Sequence, residues 1–351
     1  MHRNGPGIRV LTRLWFRSGL PVVVTCAALG VLCVFAATAN EEQWAAAIAG
    51  GDQALAAGDV ESAIERFQQA RELARALPPG DARQTETLVR LARAYRSQGD
   101  FAKPEGLYAD ALKIAEATHG STSGEFAEYV NEVGRYFHAR RKYRHAEERY
   151  KEAFAIRVKV FGREHSAVAE SINNLAILYE NESRYDKAEV YYTHALDIRE
   201  KALGQDHLDT VVTLEHFSRL LFKMNRAEEA RPMQDRARIV RSQWVAEAYN
   251  DQPPAEVYRL GDGVIPPRLK ERTEPEYSEE ARIARHEGSV VLQAVITPEG
   301  SAGNFKLVRS LGLGLDEKAV KAVRSWRFEP GRRGNSAVAV QANLEITFRI
   351  L

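Results

Sequence analysis

Amide and imidazole side chains recur at a fixed interval, and they are the residues best suited to chemistry in this sequence. Asn131 and Asn173 are 42 residues apart, and the same interval separates His165 from His207. An amide side chain offers both a hydrogen-bond donor and an acceptor, so the two asparagines suit the main chain of a bound segment. The alternative is that they are solvated residues of a helix surface. The recurrence therefore favours binding or structure over catalysis.

Residue types that would support catalysis or a cofactor are sparse. Cys26 and Cys33 are the two cysteines, so a thiolate metal site and a cysteine nucleophile are excluded beyond residue 39. No pair among the nine histidines is spaced to hold a metal around an acidic base, and we expect His138 and His145 on solvated helix surfaces. Residues 312–314, Gly-Leu-Gly, do not complete a dinucleotide fingerprint and are interpreted as a turn. We expect no enzyme, no catalytic residue, no metal and no cofactor.

Charge and composition narrow the class of protein further. The 351 residues include 49 basic and 48 acidic side chains, a formal net charge of +1. No strong basic field is therefore available to hold a nucleic acid backbone, and we expect no nucleic-acid partner. Hydrophobic residues at 44% and charged residues at 28% are typical of globular protein. The length suggests two or three domains.

An apolar segment near the N-terminus indicates export. After four arginines, Gly19 to Ala39 carries no charge over 21 residues, a helix length that would cross a hydrocarbon core of roughly 30 Å. Ala37 and Ala39 are the small residues that a signal peptidase requires, so residues 1–39 are predicted to be a cleaved signal peptide. The alternative is an uncleaved anchor. Because the arginines stay cytoplasmic, either interpretation places the rest of the chain outside the cytoplasm, released or held by one anchor.

Residues 40–240 are built from a repeat with a period of 42 residues. The interval separates three aromatic residues and three glycines: Phe101, Tyr143 and Tyr185, and Gly120, Gly162 and Gly204. Within one unit, residues 172–179 and residues 188–199 each place apolar side chains on one helical face, and residues 182–184 form the turn between them. A period of this size indicates stacked helix-turn-helix units, each unable to bury its apolar face alone.

The repeat resembles the tetratricopeptide repeat in its longer, kinesin-light-chain-type form. The best copy carries the small–large–small–aromatic–small signature at Ala176, Tyr179, Ala188, Tyr192 and Ala195. Five copies cover residues 44–240. The resemblance implies an α-solenoid whose concave face, lined by the first helix of each unit, binds peptide segments or other proteins. The residues expected on that face are Glu128, Asn131, Arg135, His138, Glu170, Asn173, Ile177 and Glu180.

The remaining sequence divides into a linker and a second module. Residues 241–267 contain two proline pairs and no long apolar periodicity, so they are predicted to be a linker. Residues 268–351 predict a helix, two strands, a second helix and a long closing strand. In that closing strand, apolar residues alternate from Val338 to Ile350 without a break. The predicted fold class is an α-solenoid followed by a small α+β domain with an antiparallel sheet.

Three motifs of residues 268–351 resemble the TonB C-terminal domain. They are Pro275, Tyr277, Ala281, Gly288 and Val290; then Ser310, Leu311 and Gly312; and finally Leu315, Asp316, Ala319, Ala322, Val323, Trp326, Phe328 and Pro330. Ser278 departs from the family pattern, in which a proline commonly follows the tyrosine. The resemblance implies a domain that captures a short extended segment of an outer-membrane receptor.

A closing strand with an unpaired outer edge would explain such capture, because its main chain offers donors and acceptors to an incoming strand. Outward side chains such as Gln341, Asn343, Glu345 and Arg349 would tune specificity. The alternative is that the edge is covered or pairs with a second copy as a homodimer. The expected partner-strand edge comprises Val338, Val340, Gln341, Ala342, Asn343, Leu344, Glu345, Ile346 and Phe348.

Two functions from different classes fit these modules. The first is a cell-envelope adaptor that binds one protein with the solenoid and another with the C-terminal domain. The second is a TonB-type energy transducer that couples a proton-driven inner-membrane motor to outer-membrane receptor transport, which requires the N-terminal segment to stay uncleaved. TonB-type transducers carry a histidine in their membrane helix, whereas Gly19 to Ala39 contains no histidine and no ionisable residue. The sequence therefore favours the adaptor.

Overall fold

A computed structural model describes residues 23–250, 254, 256–261 and 263–350, with side chains from Asn40 onward. The predicted leader lies largely outside this description, because residues 1–22 are not covered and Ala37 and Ala39 are covered only as helical backbone. Within the described residues, no helix is both long enough and apolar enough to cross a membrane.

Ten helices of the described chain form five consecutive antiparallel pairs, which is the predicted solenoid. Each helix packs most closely on its pair partner, and the second helix of each of the first four pairs also packs on the first helix of the next pair. Their bounds are α1 Val23–Ala56, α2 Val60–Arg75, α3 Ala82–Ser97, α4 Lys103–His119, α5 Gly124–Ala139, α6 Tyr143–Phe161, α7 Ser166–Asn181, α8 Tyr185–Leu203, α9 Leu208–Lys223 and α10 Ala227–Tyr249.

Side chains at the helix starts explain part of the 42-residue recurrence. His165 and His207 are the N-caps of α7 and α9, and in each the ring Nδ1 accepts a hydrogen bond of 3.2 Å from the backbone N–H two residues on. The first backbone N–H groups of a helix lack an intrahelical partner, so a side-chain acceptor at this position stabilises the helix start. These two exposed histidines therefore have a structural role.

The small and aromatic residues of the repeat signature fill the space within each helix pair. The side chains of Tyr150, Tyr179 and Tyr192 are all 0% exposed. Gly134 faces the ring of Tyr150 so closely that a Cβ atom there would lie 2.6 Å from it. The signature is therefore steric, with each large ring occupying the space that a small residue on the facing helix leaves open.

The C-terminal module contains two helices and nine strands within the described residues. Their bounds are β1 Tyr258–Arg259, β2 Val264–Ile265, β3 Arg268–Glu271, α11 Glu279–Ile283, β4 Gly288–Ile296, β5 Ala302–Arg309, α12 Leu315–Ser325, β6 Arg327–Glu329, β7 Gly331–Arg333, β8 Ser336–Val338 and β9 Val340–Phe348. The main sheet has the order β1-β9-β4-β5, in which β4 is antiparallel to both neighbours and β1 is parallel to β9. Helix α12 packs on this sheet. The predicted fold class is thereby confirmed, with one parallel strand added.

Two details of the sequence prediction are wrong. The alternation from Val338 onward is not one strand, because Val338 ends β8 and pairs with Gly331 of β7, while β9 begins at Val340. Both strands alternate in the same phase, so the pattern could not reveal the break between them. Residues 241–267 are also more ordered than a linker, since α10 runs to Tyr249 and β1 and β2 lie in the segment.

The continuation of α10 joins the two modules. Val245 is 0% exposed and belongs to the apolar core of the C-terminal module, with Trp244 and Tyr249 packed against the same core. Asn250, directly after the helix, binds the main chain of β5: its Nδ2 donates to Phe305 O at 3.0 Å and its Oδ1 accepts from Phe305 N at 2.6 Å. The last solenoid helix is thus also a structural element of the C-terminal module.

Candidate protein-binding surfaces

The predicted asparagines of the concave face are buried between repeats. Asn131 is 2% exposed, and its Nδ2 donates to Glu170 Oε1 at 2.9 Å while its Oδ1 accepts from Asn174 Nδ2 at 2.9 Å. Asn173 is 5% exposed. The alternative of a solvated helix surface is therefore wrong for both. Asn131 uses its amide to connect α5 to α7, the first helices of adjacent units.

Glu180 is the most enclosed carboxylate of the predicted set. It accepts hydrogen bonds from Arg219 at 3.0 Å, from Lys223 at 2.9 Å and from the Tyr192 hydroxyl at 2.7 Å. Burial raises the pKa of Glu180, but the charges of Arg219 and Lys223 outweigh burial and lower that pKa to about 2. Glu180 is therefore an ionised link between α7 and α9.

His138 is buried, contrary to the expectation of a solvated position, whereas His145 is exposed as expected. The ring lies 3.3 Å from the Tyr150 hydroxyl and 2.8 Å from Asn181 Nδ2. Burial and the nearby Arg135 charge lower the pKa of His138 to about 3, so the ring is neutral at physiological pH. A neutral imidazole with one donor and one acceptor satisfies both neighbours.

Arg135 contacts the C-terminal module. Helix α11 lies against the concave face with Glu279 Oε1 3.2 Å from Arg135 Nε and 2.6 Å from Arg96 Nη2, and Glu280 lies 3.5 Å from Arg135. Ser278 caps α11 by accepting from the N–H of Ala281 at 3.2 Å. The cap places both glutamates in the first helical turn, where a negative charge is favourable and where they meet the two arginines.

Further contacts hold the C-terminal module on the same face. Ile283 is 8% exposed within an apolar cluster that includes Ile177, and its carbonyl accepts from Asn181 Nδ2 at 3.1 Å. The N–H of Leu313 donates to Glu215 Oε2 at 2.7 Å. Most of the predicted concave residues are thus engaged within the chain, and Glu128 is the exposed member of the set.

Arg241 adds an ion-pair bridge that sequence reasoning missed. It pairs with Glu215 of α9 at 2.6 Å and with Glu317 of α12. Arg241 is 2% exposed although it stands at the start of the segment predicted to be a linker. The 42-residue period could have extended the last helix, but it carries no information about Glu317, which is 76 residues away.

The outer edge of β9 is covered at one end. Strand β1 pairs with Val340 and Gln341, and the N–H of Tyr258 donates to Ala339 O at 2.8 Å. Because main-chain direction alternates along a strand, the N–H and C=O groups of Asn343, Glu345 and Thr347 point to the same outer side. Beyond β1, no strand of the described residues pairs with this edge.

The side chains of β9 alternate between the core and the surface. Asn343, Glu345 and Thr347 are exposed, while Ala342, Ile346 and Phe348 are buried; Leu344 is intermediate. Within the predicted edge, the outward main-chain groups from Asn343 onward therefore have no partner strand among the described residues. Val338, which was expected in the same edge, belongs to the sheet of β2, β7 and β8. Among the described residues, no group of three histidine, cysteine or acidic side chains is arranged to hold a metal.

A solenoid of paired helices with a buried tyrosine–alanine core defines a repeat class of protein. The chain belongs to the tetratricopeptide-repeat family, whose profile matches residues 51–117, 83–159, 125–201 and 167–238. Residues 273–350 match the domain described as the Gram-negative bacterial TonB protein C-terminal. Tetratricopeptide repeats bind proteins, and the TonB-like domain indicates a function in the cell envelope.

Individual relatives match one module at a time. Protein TonB of Escherichia coli (strain K12) is 36% identical over 73 residues, which is 20% of this chain and 30% of that protein. The chain spans about a third of the length of the curated relatives it matches.

Among solved structures, aspartyl phosphate phosphatase F from Bacillus subtilis aligns with a TM-score of 0.51 at 12% identity, covering 63% of this chain and 56% of that one. This likeness supports the fold alone. The TPR-like repeats of a candidate kinesin light chain from Podosopora anserina align with a TM-score of 0.47 at 20% identity. The alignment covers 59% of this chain and 97% of that one.

Proposed function

We propose that this chain is a cell-envelope adaptor whose C-terminal module captures an extended segment of a partner protein by strand addition to β9. The observation that carries the proposal is the outer edge of β9 from Asn343 onward, which has no partner strand within the described residues. An unpaired edge exposes a row of main-chain donors and acceptors, and natural proteins commonly blunt such edges. The exposed side chains of Asn343, Glu345 and Thr347 would select among the segments that bind.

The solenoid is the second binding element of the proposed adaptor. Helix α11 already lies against the concave face at Arg96 and Arg135, so a protein partner is expected on the part that α11 leaves open, next to Glu128. The expected partner of β9 is a segment of an outer-membrane receptor, and the expected location is the periplasm. The similarity of residues 273–350 to TonB C-terminal domains supports both expectations.

The test separates main-chain capture from side-chain contact at one residue. Asn343→Pro removes an outward N–H, which an edge strand tolerates, and Asn343→Ala removes the side chain but keeps that N–H. The probes are synthetic peptides from the periplasmic segments of the source organism's outer-membrane receptors. We expect the proline variant to bind the peptide at least tenfold more weakly than the wild type does. The alanine variant should bind it at most about twofold more weakly.

Two results would overturn strand capture. One is equal peptide affinity for both Asn343 variants, and the other is no protection of the Asn343, Glu345 and Thr347 amides in hydrogen exchange with peptide bound. Sedimentation of the unliganded chain provides the homodimer control. If Asn343→Pro dissociates a dimer while peptide affinity stays constant, the edge serves a second copy of the chain.

Energy transduction is the second candidate function, and the 36% identity to Escherichia coli Protein TonB favours it. It requires Gly19 to Ala39 to remain in the inner membrane. The intact mass and N-terminal sequence of the protein from its native envelope decide between the two. A chain that starts at Asn40 and is released with soluble periplasm rules out transduction, whereas a chain retained with Met1 in the inner-membrane fraction supports it.

A further inference from the structure

A cavity of about 560 Å³ lies between the concave face of the solenoid and helices α11 and α12. Its lining contains six cationic side chains and three carboxylates, an excess of three positive charges. The cations are Arg93, Arg96, Arg241, Arg282, Lys318 and Lys321, and the carboxylates are Glu279, Glu280 and Glu317.

Three of the cations are neutralised by close acidic partners. Arg93 donates to both carboxylate oxygens of Glu132, at 2.8 and 2.9 Å. Arg241 pairs with two glutamates, as described above, and Lys318 pairs with Glu276. The positive charge of each of these three side chains is already balanced by a carboxylate. The charge excess of the cavity therefore resides in the other cations.

Arg96, Arg282 and the exposed Lys321 are the remaining cations, and Arg96 and Arg282 are the two that are at least partly buried. Arg96 is 7% exposed, and its Nη2 donates to Glu279, but its buried Nη1 has no hydrogen-bond partner among the described residues and lies 3.9 Å from Glu132. A buried donor without an acceptor is unfavourable. Arg282 is half-buried and forms no side-chain ion pair with any described residue. Burial and the charge of Arg96 lower the pKa of Arg282.

We propose that this cavity binds a small organic oxyanion, carrying a carboxylate or a phosphate group, between Arg96 and Arg282. A guanidinium offers planar paired donors that match the oxygens of either group, and an anion there would offset the repulsion between the two arginines. The cavity volume lies within the ~300–1,000 Å³ range of small-molecule sites. Leu55, Val212 and Trp244 also line the cavity and suit an apolar part of the ligand.

The site joins the two modules. Arg96 belongs to α3 of the solenoid and Arg282 to α11 of the C-terminal module. A bound anion would therefore add a contact across the interface that Glu279 already forms with Arg96. Binding is expected to stabilise the contact between the modules, because any ligand that binds only the assembled state favours that state.

The experiment is a calorimetric titration of the full chain with two probes, inorganic phosphate and hexanoate. Arg282→Gln removes a cation that has no partner to lose, and Lys306→Gln is the matched control, an exposed cation on β5 outside the cavity lining. We expect saturable binding of at least one probe to the wild type and to Lys306→Gln, with at least tenfold weaker binding to Arg282→Gln. Binding of phosphate alone assigns a phosphate ligand, and binding of hexanoate alone assigns a carboxylate.

Thermal unfolding followed by circular dichroism shows whether each variant is folded before its titration. Lys321→Gln, which changes a second, exposed lining cation, gives an independent variant with a smaller expected loss of affinity. The absence of saturable binding of either probe up to about 10 mM overturns the proposal. Equal binding to the wild type and to a folded Arg282→Gln also overturns it.

Discussion

The concave face of the solenoid and the outer edge of β9 differ in how far the chain satisfies its own polar groups. On the concave face, Glu180 and Asn131 are bonded to neighbouring repeats, and α11 covers Arg96 and Arg135. On β9, the main-chain groups from Asn343 onward have no partner strand in the described part of the chain.

The separations in sequence explain this difference. The concave pairs join residues 39 or 43 positions apart, close to one 42-residue repeat, as in Asn131–Glu170 and Glu180–Lys223. A polar residue at a repeated position therefore has a ready partner in the next unit. An edge strand has no next unit, so its main chain stays available for another molecule. In a repeat protein, periodic polar residues are first candidates for structural pairing, and main-chain edges are the better candidates for recognition.

The largest expected effect comes from breaking the concave network at Glu180. Glu180→Ala leaves Arg219 and Lys223 facing a buried site without their carboxylate, and we expect the free energy of unfolding to fall by about 3–5 kcal/mol. Glu128→Ala changes the exposed residue of the same predicted set and should cost about 0.5 kcal/mol at most. Urea denaturation measures both. Equal losses would show that the concave network contributes no special stability.

The second test compares the two sides of β9. The N–H of Leu344 points toward β4, with which Leu344 pairs through Leu292, so Leu344→Pro removes an internal ladder hydrogen bond. We expect a loss of about 3 kcal/mol in the free energy of unfolding for Leu344→Pro. Asn343→Pro removes an N–H on the outer side and should lower the free energy of unfolding by less than about 1 kcal/mol. Similar urea midpoints for the two variants would mean that the outer side is also paired.

Acidification should weaken the solenoid. The folded pKa of His138 is lowered from 6.5 to about 3, so below pH 6.5 the unfolded chain takes up a proton that the folded chain excludes. Stability is therefore lost as the pH falls from 6.5 toward 3. Glu180, with its pKa lowered from 4.5 to about 2, adds a loss in the same direction below pH 4.5.

Thermal unfolding at pH 7.5 and pH 5 measures the histidine contribution. His138→Gln removes the titrating ring, so its melting temperature should fall less between the two pH values than that of the wild type. His145→Gln, an exposed position on α6, should behave as the wild type does. An unchanged pH dependence in His138→Gln would assign the effect to other groups, such as His216, whose pKa burial and the Arg219 charge also lower.

The smallest expected effect concerns the contact between α11 and the solenoid. The double change Glu279→Gln and Glu280→Gln removes the charges that pair with Arg96 and Arg135 but keeps side-chain oxygens that can accept from them, so the expected cost is about 1–2 kcal/mol. Hydrogen exchange of residues 279–283 should quicken. Glu329→Gln, an exposed glutamate on β6, is the control and should leave that exchange unchanged. Equal exchange in both variants would show that the apolar packing of Ile283 and the Asn181 hydrogen bond hold α11 without the ion pairs.

Much of the fold follows from the sequence because its determinants are local or periodic. The 42-residue period gives the paired helices, and the turn at residues 182–184 lies between α7 and α8 as predicted. The short strands β1 and β2 are not predictable in this way. They have two residues each and exist only because β9 and β7 supply their partners. The boundary between β8 and β9 cannot be predicted in this way, because the alternation continues across it.

The candidate surfaces follow the same division. The sequence predicts that the concave residues lie on the first helices of their units, which are α5 and α7. It does not show which of these side chains are bonded within the chain. Arg96 meets Glu279 across 183 positions, and Asn181 meets Ile283 across 102. Such contacts depend on how the two modules pack, which no spacing rule encodes. The alternation that marks β9 is local and can be predicted from the sequence, whereas the pairing of β1 with Val340 and Gln341 cannot.

The amide of Asn250 has a consequence for self-assembly. By pairing with both main-chain groups of Phe305, it occupies β5 at the far side of the main sheet from β9. Two copies that met edge to edge through β9 would form a closed pair with β5 facing outward on each side, and there Asn250 blocks the addition of another strand at Phe305. Growth into an open-ended fibre needs two adhesive edges on each copy. If β9 binds strands as proposed, the amide would limit self-association through the main sheet to a closed pair.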